Sequence, residues 1–215
     1  MQTLQDYKIE PLSKTKPKTI AVLLHGYGDS GQGLLSLAPF FQAQLPDTLF
    51  VAPNAPFECE INPSAGFQWF SLQEYNPQSL LKGTEEAHPI LDNYLDNLVD
   101  EYGINADKIA LIGFSQGTMM SLYTGPRRQD KLAGILGYSG ALVGGGGLKS
   151  TSKPPIHLIH GDDDSVVPVA AYHHARDILQ KNDFTVTGHT TPHLEHSIDE
   201  QGIESGKSFL GNILN

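Results

Sequence analysis

The feature that most limits what this chain can become is Gly113-Phe114-Ser115-Gln116-Gly117, set between two segments of different habit. Before it, residues 108–112 form a short, largely aliphatic run of the kind that crosses a parallel sheet covered on both faces. After it, residues 118–123 hold no breaker until Gly125-Pro126 and read as a short helix. The order is therefore strand, tight turn, helix, with a serine at the turn. Small residues two places either side of Ser115 let the chain reverse without a Cβ clash, and the following helix aims its free N–H groups at whatever lies over the hydroxyl. A partial copy, Gly137-Tyr138-Ser139-Gly140-Ala141, lacks this setting, because its second glycine is displaced and glycines 144–147 stand where a helix would begin. Ser139 reads as a strand-end residue and the glycine run as a mobile loop.

The rest of the chain alternates in the same way. Strands are expected at residues 19–24, 49–52, 134–138, 155–160 and 184–187. Between them lie helices at residues 34–45, stopped by Pro46, and at residues 90–99, stopped by Gly103. Another helix follows Pro168 with Tyr172, Ala175, Ile178 and Leu179 on its inner face, and a last one turns Ile203, Phe209, Leu210, Ile213 and Leu214 inward. Residues 54–83 read as one long loop carrying Phe57, Phe67, Trp69, Phe70 and Leu72, aromatics that either anchor it to the core or line an apolar groove. This alternation implies one α/β domain over residues 1–215, with a mainly parallel central sheet. At 39% hydrophobic residues the chain can fill a core of that size.

A formal charge of -10 argues against nucleic acid or an anionic membrane surface as partner, since both are bound through clustered Lys and Arg. Lys14, Lys16 and Lys18 read as a solvated approach to the first strand. No run is apolar for long enough to span a bilayer, so no stable membrane insertion is expected, and residues 1–10 lack the pattern of a secretory signal. Cys59 is the only cysteine, which precludes an internal disulfide and fits a reducing, cytoplasmic location. It reads as a partly buried structural thiol.

An acyl-transfer serine needs a base, an acid to hold that base, and donors for a developing oxyanion. Candidates stand at strand ends: Ser115, an aspartate within Asp162-Asp163-Asp164, and a histidine, His193 or His196. The chain order serine, acid, histidine is that of α/β-hydrolases. His25, at the end of the first strong strand, is read instead as a residue that fixes its glycine-rich loop by hydrogen bonds. Histidines 173, 174, 189, 193 and 196 could suggest a metal hydrolase, but no H-E-x-x-H or cysteine-based pattern is present, so neither metal nor cofactor is expected. A non-catalytic binding protein on the same fold is the other alternative.

Four blocks, Leu24-His25-Gly26-Tyr27-Gly28-Asp29-Ser30-Gly31, Gly113 to Gly117, His160-Gly161-Asp162-Asp163-Asp164-Ser165-Val166-Val167-Pro168 and His196-Ser197, resemble the phospholipase/carboxylesterase family, which includes the acyl-protein thioesterases. The resemblance runs from about residue 19 to the end. It implies a three-layer α/β-hydrolase fold with helices on both faces and no large cap domain. It implies Ser115 as nucleophile, Asp164 as acid, His196 as base, and the backbone amides of Tyr27 and Gln116 as oxyanion donors. Trp69, Phe70 and Val167 are then the expected substrate contacts. The chemistry implied is hydrolysis of a carboxylic ester or thioester through an acyl-enzyme, on a small-molecule or acyl-protein substrate, by a protein that could form a homodimer. Three positions depart from the family's usual residues: Tyr27 stands in place of Leu, Ser71 in place of Asp, and Thr118 in place of Gly.

Overall fold

A strand that is apolar at every position, rather than at every second one, must be covered on both faces. The computed structural model of the protein, which describes residues 3–64, 66–144 and 150–215, meets that requirement with helices above and below one sheet. In chain order the elements are β1 (Asp6–Ile9), β2 (Thr19–Leu24), α1 (Gly31–Leu35), α2 (Ala38–Gln42), β3 (Thr48–Pro53), β4 (Phe57–Glu58), β5 (Phe67–Gln68) and α3 (Pro77–Tyr102). There follow β6 (Ile109–Phe114), α4 (Gln116–Arg127), β7 (Gly134–Tyr138), β8 (Ile156–Gly161), α5 (Ala170–Lys181), β9 (Val186–Thr191) and α6 (Glu200–Leu214). Seven strands form the main sheet in the order β1-β3-β2-β6-β7-β8-β9. All pair in parallel except β1, which runs antiparallel to β3 with Asp6 opposite Pro53.

The two faces are read directly from β2. Ile20, Val22 and Leu24 point into one core with Leu91 and Leu95 of α3, Met119 and Met120 of α4, and Tyr172 and Leu179 of α5. Ala21 and Leu23 point into a second core with Leu34 of α1, Phe41 of α2, and Ile203, Leu210 and Leu214 of α6. Successive strand side chains alternate between faces, so one continuous apolar run serves both layers.

Several boundaries differ from the sequence expectation, each for a local reason. The helix expected at residues 34–45 is two short helices, because Pro39 has no N–H to give a continuing helix and instead sits in the first turn of α2. Residues 54–83 are not one loop: β4 and β5 make a two-stranded ribbon and α3 begins at Pro77. Asn76 caps that start by accepting the N–H groups of Gln78 and Ser79, and Gly103 ends the helix at φ 63 with its N–H on Val99 O. The antiparallel β1 was not expected, since Asp-Tyr-Lys-Ile has the mixed polarity of an edge strand. β9 begins at Val186 rather than Phe184. Cys59 is wholly buried rather than partly so. Apart from Gly144, the glycine run at 144–147 lies outside the described residues.

Where β8, β9 and α6 meet, His157 is 8% exposed, with Nδ1 2.7 Å from Thr187 Oγ1, Nε2 2.8 Å from Ser205 Oγ, and its ring stacked on Phe209. Burial, reinforced by nearby His189, lowers its pKa from 6.5 to about 4. Between those values the unfolded chain holds a proton at this position that the folded chain does not, so stability must rise with pH across that window. Urea unfolding at a series of pH values should show stability falling as pH drops from 6.5 to about 4, with a shallower slope in His157→Gln.

Candidate active site

The strand, turn and helix around Ser115 form as the spacing requires. Ser115 adopts φ 53 and ψ -115, a conformation that costs a non-glycine residue about 1–3 kcal/mol and persists only where surrounding packing enforces it. That packing is visible in the two flanking glycines. A Cβ on Gly117 would lie 1.8 Å from Leu24 O, and one on Gly113 would lie 2.5 Å from the Thr118 N. Only glycine lets the start of α4 settle this closely on the ends of β2 and β6.

Ser115, Asp164 and His196 follow β6, β8 and β9, strands whose carboxyl ends share one edge of the sheet, where open α/β sheets hold ligands. The loops carrying the acid and the base are laced together by Asp162 N–H on Thr191 O at 2.9 Å and Asp163 N–H on Leu194 O at 3.0 Å. His196 Nδ1 lies 2.7 Å from Asp164 Oδ2. Asp164 Oδ1 accepts the backbone N–H groups of Val166 and Val167 at 2.9 and 2.8 Å, and the carboxyl has no solvent exposure. Three N–H donors thus meet the charge of an ionised Asp164, which fixes the proton of His196 on Nδ1 and leaves Nε2 as its basic nitrogen. Behind the acid, burial lowers the pKa of His160, whose neutral ring donates from Nε2 to Val167 O at 2.7 Å.

The alternatives within each cluster separate by geometry. His193 is 92% exposed and lies 3.4 Å from Asp163, on the outside of the loop. His25 has no exposure at all. Its Nε2 accepts the Ala55 N–H at 2.9 Å, so Nδ1 carries the proton it donates to Gly26 O at 2.7 Å. Both ring nitrogens are occupied in fixing the loop, and burial lowers its pKa.

Ser115 and His196 open onto a cavity of about 220 Å³. Its apolar lining comes from Leu72, Tyr75, Phe114, Met119, Val166 and Val167, and Tyr27 and Gln116 border it as well. The Phe114 ring packs 4.9 Å from that of His196. A Cβ on Gly26 would lie 3.3 Å from Ser115 Cβ, which places the loop carrying Tyr27 directly against the turn. Among the described residues neither the Tyr27 N–H nor the Gln116 N–H has an acceptor. Two free donors therefore flank the serine at the start of a helix.

Of the expected substrate contacts, Val167 borders the cavity but Trp69 and Phe70 do not. Trp69 has no exposure and Phe70 has 2%. Both are tied into the surrounding structure: Trp69 Nε1 donates to His25 O at 3.0 Å, and the Gln116 side chain accepts the Trp69 N–H and donates to Phe70 O, both at 2.8 Å. Sequence reasoning missed Tyr75 and Met119 as wall residues; the helical spacing that puts Met119 one turn beyond Ser115 was the signal available for the latter.

Comparison with known proteins finds relatives that match over nearly the whole chain. A family model described as Phospholipase/Carboxylesterase matches residues 6–214. An acyl-protein thioesterase 1 from Emericella nidulans is 30% identical, the match covering 96% of this chain and 94% of that protein. The crystal structure of esterase PE8 superimposes with a TM-score of 0.95 at 39% identity, covering 99% of this chain and 100% of that one. Acyl-protein thioesterase 2 from Zea mays, at 24% identity and a TM-score of 0.76, shares the fold over 99% of this chain and 100% of its own.

The Gly117→Ala variant should shift the turn, because its Cβ meets a backbone oxygen that cannot move aside. Labelling of the protein by a fluorophosphonate should slow about a hundredfold, and the urea midpoint should fall by an amount equivalent to about 1–3 kcal/mol.

Proposed function

The chain belongs to the phospholipase/carboxylesterase family, and from that premise we propose that it hydrolyses esters through Ser115, His196 and Asp164, with the N–H groups of Tyr27 and Gln116 receiving the oxyanion. That it is an ester-hydrolysing enzyme follows from its relatives. The observation that carries the residue assignment is the 2.7 Å contact between His196 and the buried Asp164 on a cavity shared with Ser115.

In the first step His196 Nε2 takes the Ser115 proton as Oγ bonds to the carbonyl carbon, and the carbonyl oxygen becomes an anion held by the two amides. The bond to the leaving oxygen or sulfur then breaks, the leaving group takes the proton from His196, and an acyl-serine remains. Water repeats the sequence, losing its proton to His196 and releasing the acid. Asp164 keeps the imidazole in one tautomer and stabilises its protonated form.

The cavity of about 220 Å³ lies below the usual range for drug-sized ligands and has an apolar lining, which favours a short acyl group. Thioesters, the substrates named for the Emericella and Zea mays relatives, belong to the same reading because the first step is common to both. Every residue used lies in one copy of the chain, so the chemistry needs no residue from a second copy. We place the protein in the cytoplasm as a single domain over residues 1–215: its only cysteine is buried and unpaired, and the two cores draw on residues 20 to 214. Among the described residues no helix is long and apolar enough to cross a membrane.

The test is turnover of p-nitrophenyl esters of graded chain length beside acyl thioesters. Rates should peak at the shortest chains, and Ser115→Ala should lower kcat at least about a thousandfold while circular dichroism is unchanged. Retained activity in that variant would overturn the assignment.

A further inference from the structure

The Tyr27 amide is on a glycine-flanked loop, and an oxyanion donor is effective only if its position is already set before the charge develops. Gly28 N–H on Phe67 O and Phe67 N–H on Asp29 O, at 2.9 and 2.8 Å, tie the far side of that loop to β5. The near side is held through the ring of Tyr27, whose hydroxyl donates to Glu60 Oε1 at 2.8 Å. The same carboxylate oxygen accepts the Leu72 N–H at 2.9 Å, and Oε2 accepts from Ser71 Oγ at 2.7 Å and Gln68 Nε2 at 3.4 Å. The backbone of Glu60 joins in, donating to Gln68 Oε1 at 2.9 Å. Two of the chain's departures from the usual family residues, Tyr27 and Ser71, thus meet on one side chain. Tyr27 and Leu72 both line the catalytic cavity, so this carboxylate braces two of its wall residues.

We propose that Glu60 is a positioning residue for the hydrolysis: anchored by Ser71 and the Leu72 amide, it fixes the Tyr27 ring and thereby the backbone N–H that receives the oxyanion. The proposal rests on the catalytic reading given above. Burial opposes ionisation of Glu60, but hydrogen bonds from Ser71, Leu72, Tyr27 and Gln68 outweigh it and hold its pKa below the usual carboxylate range. Burial and the bond to Glu60 push the Tyr27 pKa upward. At neutral pH the pair is therefore a protonated phenol donating to a charged acceptor, a bond stronger than one between neutral groups.

The experiment compares wild type, Glu60→Gln, Tyr27→Phe and the double variant on p-nitrophenyl acetate, together with inhibition by a trifluoromethyl ketone, whose hydrated or serine-bound oxygen occupies the oxyanion position. Each single change should lower kcat about tenfold with KM within about twofold, and the inhibition constant should rise by the same factor as kcat falls. The double variant should be no slower than the singles, because both remove one interaction. Unchanged kcat in both singles, losses that multiply in the double variant, or a raised KM with kcat preserved would overturn the proposal. If Glu60→Gln fails to fold, Tyr27→Phe alone must still show the fall in kcat at unchanged KM and the matching rise in the inhibition constant, and their absence overturns the proposal. A wild-type enzyme whose turnover depends on Ser115 but not on Glu60 or Tyr27 would defeat this inference and leave the catalytic reading standing; activity in Ser115→Ala would defeat both.

Discussion

The close approach of α4 to the ends of β2 and β6 is the contact on which the rest depends. Leu24 O and the Thr118 backbone occupy the space that side chains at Gly117 and Gly113 would need, so helix and strands meet backbone to backbone. That proximity forces Ser115 into its left-handed conformation and brings the free N–H of Gln116 to the floor of the cavity. It also brings the loop of Tyr27 within reach, since Gly26 packs on Ser115 itself. A looser junction would relieve the strain at Ser115 and lose the alignment of hydroxyl and donors at once.

Around that junction, buried side-chain polar groups of the aromatic segment and its partners are hydrogen-bonded, as the cost of leaving them unpaired favours. His25 spends both nitrogens on Gly26 and Ala55, and Trp69 closes over the carbonyl of His25. Gln116 has two separate functions: its side chain clamps residues 69 and 70, while its backbone N–H is left free beside the serine. The aromatic segment thus packs behind the site and is tied to it by hydrogen bonds.

How much of this was legible depended on where the determining contact lies. β2, β6, β7 and β8 could be read because their apolar runs are local and continuous, and the turn at Ser115 because its glycines are adjacent to it. The first half of α3 could not, since Lys82, Glu85, Glu86 and Pro89 blur its apolar face and its burial of Thr84 and Ala87 is set by distant packing. Trp69 and Phe70 resembled groove residues for the same reason: their partners, His25 and Gln116, are more than forty residues away. The link from Tyr27 to Glu60 spans 33 residues and leaves no periodic trace. The pairing of Asp164 with His196 rather than Asp163 with His193 was reached only through family resemblance; in the fold it is decided by which carboxylate faces inward.

The second core has a consequence for how the molecule comes to be made. Phe41 and Leu45, near the amino end, are covered in part by Leu210 and Leu214 of the final helix. During synthesis from the amino end this apolar layer cannot close until the chain has been made through residue 214, and His196 enters only shortly before. Until then the nascent chain carries an unsheltered hydrophobic face of the kind that makes folding intermediates prone to aggregate.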